Sequence, residues 1–130
     1  MTETRIEVRE YEIDSQGVVN HATILSYLEH ARSQYLIARK IDYFELVKQG
    51  ILLQVSRAQV RYRVPLRSGD VAVISTVGGR EGAQAVFQQI IKRGSDGKTC
   101  VQAEIEIVCV IDGKPTRGEF FDTIPHDELH

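Results

Sequence analysis

The chain has 130 residues, the length of one domain, so we predict a single domain over residues 1–130. Hydrophobic residues make up 42% and charged residues 26%, a composition that excludes an intrinsically disordered chain. Two cysteines are too few for a disulfide scaffold or a cysteine-rich zinc module, and the net charge of −2 does not indicate a nucleic-acid or membrane partner.

The first half of the chain predicts a strand and two helices. Apolar and polar residues alternate over residues 5–13, which predicts a strand, and the turn-forming residues 14–17 end it. A helical period predicts a long helix over His21–Ala38, with Asn20 as its N-cap. A second, short helix is predicted over residues 43–49.

The second half of the chain has a period of two residues, which predicts strands. A glycine-rich turn is predicted at residues 78–82 and a tight hairpin at residues 95–98. A long helix followed by antiparallel strands predicts an α+β domain with the helix on one face of a sheet. The predicted strands cover residues 57–64, 71–77, 85–93 and 99–111, and residues 120–125 are expected to return to the sheet.

The predicted sheet is broader than one helix can cover. Its longest strand also has apolar side chains at consecutive positions, from Val108 to Ile111. We therefore expect a homodimer or homotetramer, with sheets joined edge to edge or back to back.

The junction between the first strand and the long helix carries the candidate chemistry. Asp14 precedes a glycine turn, and the helix begins seven residues later, where amides have no intrahelical partner. If Asn20 accepts the amide of Ala22 or Thr23, the amide of His21 is free to polarise a carbonyl oxygen. A carboxylate beside such an amide suits acyl transfer, although an aspartate before a glycine is also ordinary turn chemistry.

Residues 11–35, YEIDSQGVVNHATILSYLEHARSQY, resemble the signature of the hot-dog-fold acyl-CoA thioesterases of the 4-hydroxybenzoyl-CoA thioesterase family. Residues 63–77 resemble the Pro-x-x-x-Gly-Asp strand entry of the same family. In two places the chain departs from the family pattern, because Glu12 replaces a frequent aspartate and Asn20 a frequent tyrosine. The matching signature residues are Asp14, Gly17, Val18, Val19, Tyr27 and Arg32.

The resemblance implies a hot-dog fold, in which an antiparallel sheet of about five strands wraps around a long central helix. It implies hydrolysis of an acyl-CoA thioester to the free acid and CoA, with no metal and no cofactor, since coenzyme A is part of the substrate. Asp14 would be the nucleophile or general base, Gly17 would shape its turn, and the His21 amide would polarise the thioester carbonyl. The substrate-binding residues that the resemblance implies are Val19, Asn20, Tyr27, Glu29 and Arg32.

Several candidate residues also have a structural interpretation. The His21 imidazole either orients substrate or is buried and hydrogen-bonded within the core. Glu29 is either a catalytic carboxylate, as in related hot-dog subfamilies, or the ion-pair partner of Arg32 three residues on. Three arginines, on a predicted strand and in the glycine-rich turn, either bind the phosphates of CoA or form an ordinary solvated surface. These arginines are Arg57, Arg61 and Arg80.

Two rival functions stay open at this point. The thioester could be carried by an acyl carrier protein in place of CoA, or the chain could bind acyl-CoA without hydrolysing it. The sequence has no signal-peptide pattern and no apolar run near the roughly 20 residues of a membrane span, so we expect a cytoplasmic protein that does not bind membranes.

Overall fold

The computed structural model describes residues 1–124, which form an antiparallel sheet packed against a long helix. Short 3₁₀ segments occupy Glu10–Glu12 and Glu119–Thr123. The helices and strands are β1 (Thr2–Glu7), α1 (His21–Ala38), α2 (Tyr43–Lys48), β2 (Ile51–Tyr62), β3 (Val71–Glu81), β4 (Gln84–Arg93), β5 (Thr99–Ile111) and β6 (Lys114–Pro115).

The strands form one sheet in the order β1-β3-β4-β5-β2, with β6 paired to the end of β5. Every pairing is antiparallel. β1 and β2 are therefore the two edges of the main sheet. β1 is six residues long and alternates Glu3, Arg5 and Glu7 with uncharged residues, whereas β2 is twelve residues long. A short, charged edge resists pairing with another chain, and a long edge favours it.

The core lies between α1 and the inner face of the sheet. Ile24, Leu28, Ala31 and Tyr35 share the buried face of α1, as the helical period predicts. The Tyr35 ring packs edge-on against Phe87 of β4, with 5.2 Å between ring centroids. This arrangement confirms the α+β architecture and fixes α1 in its orientation over β3 and β4.

The first strand is shorter than the sequence predicts. β1 ends at Glu7, and the predicted continuation to residue 13 folds instead into the 3₁₀ segment Glu10–Glu12. The Glu12 carboxylate accepts the Arg9 amide at 2.9 Å, which draws the backbone into a turn. This local side-chain hydrogen bond competes with the strand, and alternation of residue types does not reveal it.

The glycine-rich segment at residues 78–82 is not the predicted turn, because β3 runs through it to Glu81. A Cβ atom on Gly78 would lie 2.8 Å from the Tyr35 hydroxyl oxygen and 2.9 Å from Phe87, so this glycine allows α1 to approach the sheet. The turn itself is Gly82-Ala83, and Gly82 has a φ of +63°.

Two further predictions are wrong in detail. β2 begins at Ile51, six residues before the predicted start at residue 57, and a bulge between Val55 and Arg57 separates its two halves. Residues 119–123 form a 3₁₀ helix, not a strand, because Phe121 turns inward and is 3% exposed. Pro125, the last residue of that predicted segment, lies outside the described residues. Among residues 1–124, no helix is long and apolar enough to cross a lipid bilayer.

Candidate active site

The turn that carries Asp14 is closed by backbone hydrogen bonds. The Asp14 amide donates to the Val18 carbonyl at 2.9 Å, and the Gly17 amide donates to the Asp14 carbonyl at 2.9 Å. Ile13 and Val19 pair across the base of the turn. Gly17 has a φ of +80°, which a residue with a side chain rarely adopts. These contacts hold Asp14 on a defined loop directly before α1.

The two carboxylate oxygens of Asp14 have different surroundings. Oδ1 accepts the Gln16 amide at 2.8 Å and, at 3.4 Å, the Val18 amide. Oδ2 accepts no hydrogen bond from residues 1–124, and the side chain is exposed. One oxygen therefore holds the turn, while the other is available to a substrate or a water molecule.

The first turn of α1 leaves backbone donors free. The Asn20 side chain accepts the Thr23 amide at 2.9 Å, which confirms the predicted N-cap. The amides of His21 and Ala22 have no acceptor within residues 1–124. The His21 imidazole is exposed and has no hydrogen bond in the same range, so of the two alternatives for it, the buried and hydrogen-bonded one is wrong. A free amide pair at a helix start is suited to an anionic oxygen.

Tyr27 ties the loop to α1 from inside the fold. Its side chain is 4% exposed, and its hydroxyl donates to Glu12 Oε1 at 2.8 Å. The same oxygen accepts the Arg9 amide. Burial raises the pKa of Tyr27, and the bond to Glu12 raises it further, so the hydroxyl remains protonated and donating. Sequence reasoning missed this pair, in which Glu12 lies two residues before Asp14.

A small cavity of about 200 Å³ adjoins the Asp14 loop. Val18 and Val19 of the loop line it together with Ile24 of α1. The end of β2 and the residues after it form another wall, from Tyr62 to Leu66, and Cys100 and Val101 complete the lining. Among the predicted substrate-binding residues, Val19 is the one that lines this cavity.

A larger cavity of about 330 Å³ lies farther along α1. Its lining is mostly apolar, with Glu29, Arg32 and Ser33 of α1 as the polar exceptions. Asp14 and His21 do not line it, because its first residue on α1, Glu29, is eight residues beyond His21, or about 12 Å along the helix axis. The apolar lining residues are Leu36, Tyr43, Phe44, Leu53, Val55, Ala85, Phe87, Ile107, Phe121 and Ile124.

Arg32 does not form the predicted salt bridge with Glu29. Its Nη1 donates to Gln89 Oε1 at 3.0 Å, and no carboxylate of residues 1–124 lies within 4 Å of the guanidinium. Gln89 projects from β4 towards α1, directly under this turn of the helix, whereas Glu29 is exposed. Burial lowers the pKa of Arg32, and the charge of Glu29 raises it in part.

The predicted phosphate-binding arginines separate into different environments. Arg80 donates to Asp122, to the Arg117 carbonyl and to the Gly82 carbonyl, so its guanidinium stabilises the C-terminal segment. Arg57 pairs with Glu106 at 3.3 Å. Arg61 is exposed and has no side-chain partner within residues 1–124, which leaves it as the candidate for an anion.

Comparison with known proteins places this geometry in a family. Residues 8–121 match the family model described as the thioesterase-like superfamily. The acyl-acyl carrier protein thioesterase ATL3 of Arabidopsis thaliana chloroplasts is 34% identical over 90 residues, which are 68% of this chain and 47% of the relative. The chain thus spans about half the length of that relative.

A bacterial relative and a solved structure match more of their own length. The acyl-CoA thioester hydrolase YbgC of Escherichia coli is 30% identical over 109 residues, or 82% of this chain and 81% of the relative. The crystal structure of the probable thioesterase YbaW of Escherichia coli superposes with a TM-score of 0.82 at 27% identity, covering 95% and 96% of the two chains. The chain belongs to the thioesterase-like superfamily and has its hot-dog fold.

Proposed function

We propose that this protein hydrolyses acyl thioesters, with acyl-CoA as the substrate class and Asp14 as the catalytic carboxylate. The observation that carries the proposal is that the two oxygens of that carboxylate differ in their hydrogen bonds. Oδ1 is held by the amides of Gln16 and Val18, and Oδ2 is free directly before the helix start that exposes the His21 amide. Thioester hydrolysis needs both parts, a nucleophile or base and a donor for the developing oxyanion.

In the proposed mechanism, the thioester carbonyl oxygen accepts the His21 amide, and the positive end of α1 stabilises the negative charge that develops there. Oδ2 of Asp14 then attacks the carbonyl carbon directly or removes a proton from the attacking water. After direct attack the CoA thiolate leaves, an anhydride between the acyl group and Asp14 forms, and water hydrolyses it to the free acid and the Asp14 carboxylate. After attack by water the tetrahedral intermediate expels the CoA thiolate and yields the free acid. In either case the thiolate takes up the proton that the water loses. Gly17 and Asn20 keep the loop and the helix start in place, and the exposed His21 imidazole borders the substrate.

The experiment is Asp14→Asn, measured by release of free thiol from a panel of acyl-CoA thioesters. The asparagine oxygen can still accept the Gln16 amide, so the turn is preserved while the free carboxylate oxygen is lost. We expect kcat to fall by about 10² to 10⁴. Asp70→Asn is the matched control, since Asp70 Oδ2 also accepts a turn amide, from Arg67 at 2.8 Å, and the residue does not line either cavity. A wild-type rate for Asp14→Asn would refute the mechanism.

A second candidate uses an acyl carrier protein as the thiol, and the similarity to ATL3 favours including it. The same acyl group offered on CoA and on a carrier protein separates the two, because the carrier form would give the higher kcat/KM. Binding of every thioester without hydrolysis would point instead to a non-catalytic acyl-CoA protein. Arg61→Met tests the CoA phosphate contact, and we expect KM for acyl-CoA to rise while kcat stays the same.

We also propose that the working unit is a homodimer formed along the β2 edge. β2 has a free edge about 40 Å long, and most of its residues are exposed in the single chain, including Val55 at 49% and Tyr62 at 49%. Tyr62, the last residue of β2, lines the small cavity, and Leu53, near its first residue, lines the large one. A two-fold axis between Arg57 and Ala58 would pair β2 antiparallel with its copy and place Tyr62 of one copy opposite Leu53 of the other, so that each small cavity would lie beside the other copy's large cavity.

Val55→Lys tests this dimer by sedimentation at several protein concentrations. A charge at the free edge disfavours strand pairing, so we expect a monomer that has lost hydrolytic activity. Glu3→Lys on the opposite edge is the control, and we expect it to remain dimeric. An active monomer from Val55→Lys would show that one copy contains the whole site. A tetramer would add a second interface, on the outer face of the sheet, to the β2 contact.

A further inference from the structure

The large cavity has three polar lining residues, Glu29, Arg32 and Ser33, and an apolar acyl pocket does not need the charged guanidinium of Arg32. The residue is partly buried against β4, and its environment is mostly aliphatic and aromatic. A charged group in such surroundings is costly unless its hydrogen bonds are satisfied. A guanidinium has five N–H groups, and within residues 1–124 the one acceptor for them is Gln89 Oε1.

Gln89 holds Arg32 in a fixed position. Its side chain is fully buried, and its Nε2 donates to the Leu28 carbonyl and to Thr76 Oγ1, each at 3.0 Å. Both amide hydrogens are thereby used, so the amide cannot rotate without losing two buried bonds. Oε1 is left aimed at Arg32. The network extends from β3 through β4 to α1, which makes Arg32 a preorganised donor at the cavity wall.

The cavity suits a small or medium-sized acyl group. Its volume of about 330 Å³ lies at the lower end of the range for small-molecule pockets, and aromatic side chains of α2, β4 and the C-terminal segment form much of its wall. An unsubstituted acyl chain would fill this space and leave the spare N–H groups of Arg32 without an acceptor. An acyl group with an oxygen atom of its own would supply one.

We propose that Arg32 is a specificity-determining residue, which donates a hydrogen bond to an oxygen substituent on the acyl group. The protein then prefers oxo- or hydroxy-substituted acyl thioesters over unsubstituted ones of the same size. The inference rests on the proposed thioesterase function and adds the substrate class to it. It assigns Gln89 as the positioning residue that acts through Arg32.

The test compares matched substrate pairs. 3-Oxooctanoyl-CoA against octanoyl-CoA reports an oxo group on an aliphatic chain, and 4-hydroxybenzoyl-CoA against benzoyl-CoA reports a hydroxyl on an aromatic ring. We expect wild-type protein to favour the oxygen-bearing member of at least one pair in kcat/KM. Arg32→Met should reduce that preference by about 10- to 100-fold, chiefly through slower hydrolysis of the oxygen-bearing substrate, because a hydrogen bond to a charged donor is lost.

Three further variants test whether the effect of Arg32→Met is purely structural. Arg32→Lys keeps the charge but loses the planar fork, so it should give an intermediate preference even if Arg32→Met folds poorly. Arg5→Met makes the same chemical change on β1, where Arg5 pairs with Glu3 at the surface, and should leave the preference unchanged. Gln89→Met should weaken the preference while Arg32 is still present.

The outcomes separate this inference from the proposed function. Hydrolysis of both members of each pair without a preference, or an equal preference in wild type and Arg32→Met, would overturn the role of Arg32 and leave the thioesterase assignment standing. No hydrolysis of any thioester by wild-type protein would overturn the proposed function itself. Ser33→Phe tests occupancy of the cavity, since it should lower the kcat/KM ratio of octanoyl-CoA to acetyl-CoA about tenfold, and an unchanged ratio would show that the acyl group lies elsewhere.

Discussion

Removal of the Tyr27 hydroxyl tests whether the loop that carries Asp14 is held from the core. Tyr27→Phe deletes one oxygen and leaves the buried ring in place, so it creates almost no cavity. It breaks the 2.8 Å bond to Glu12, and a hydrogen bond to a charged group contributes roughly 1.5 to 3 kcal/mol. Glu12 keeps its bond to the Arg9 amide and is only half-buried, so water can replace the lost donor. We therefore expect a loss of about 1 to 2 kcal/mol in the free energy of unfolding.

Urea denaturation at one fixed protein concentration measures this loss, since the stability of the proposed dimer would depend on concentration. Tyr43→Phe is the matched control, because the Tyr43 hydroxyl lies 3.5 Å from the Leu53 carbonyl, too far for a strong bond. We expect less than about 0.5 kcal/mol for that control. A double-mutant cycle with Glu12→Gln should give a coupling energy of about 1 kcal/mol between Tyr27 and Glu12.

Tyr27→Phe should also lower the rate of hydrolysis, because Glu12 is two residues from Asp14. We expect kcat to fall several-fold for Tyr27→Phe at temperatures far below its unfolding transition, with little change in KM. Loss of stability with unchanged kcat would mean that the bond supports the fold and not the position of Asp14. Equal destabilisation by Tyr27→Phe and Tyr43→Phe, or a coupling energy near zero, would refute the reasoning altogether.

Three other predictions concern the scaffold. Gly78→Ala should destabilise the protein by roughly 1 to 3 kcal/mol in urea, because the new Cβ would meet the Tyr35 hydroxyl at 2.8 Å. Asn20→Ala should cost about 1 kcal/mol in the same assay, since the Thr23 amide loses its cap. The bond from Arg93 lowers the pKa of Asp96 from 3.8 to about 2, so the stabilising effect of this bond is complete above pH 4 and is lost as the pH falls towards 2. Asp96→Asn should therefore make the free energy of unfolding less dependent on pH between 4 and 2. An unchanged pH dependence in that range would contradict the prediction.

Local patterns predicted the parts of the fold that depend on neighbours in sequence. The helical period gives α1 its observed limits, His21–Ala38, and the side-chain chemistry of Asn20 predicts its cap. The tight hairpin before β5 follows from its turn residues, and Gly97 there has a φ of +71°. Each of these features is decided within a few residues of chain, where propensity and capping dominate.

Features decided by distant contacts were not predictable in this way. A glycine that makes a turn and a glycine that admits a neighbouring aromatic ring look alike in sequence, so Gly78 was assigned to a turn although Tyr35, 43 residues away, explains it. The partner of Arg32 is likewise set by a contact that is distant in sequence. Helix spacing favours Glu29 as its partner, but the partner is Gln89, 57 residues on, because the sheet places that side chain under the helix.

The candidate site also combines residues that are neighbours in sequence with residues that are far apart, and in the proposed dimer it includes residues of a second copy. Asp14 and the amide of His21 are local in sequence, and the resemblance alone could identify them. The large cavity is not local, since it needs α1, α2, three strands and the C-terminal segment. Its first residue on α1, Glu29, lies about 12 Å along the helix axis from the His21 amide, and Asp14 does not line it. β2 lines the large cavity near its first residues and the small one at its last residue, and its edge is free. In the homodimer that we propose, antiparallel pairing of that edge would let the carboxylate of one copy and the Arg32 cavity of the other serve the same substrate.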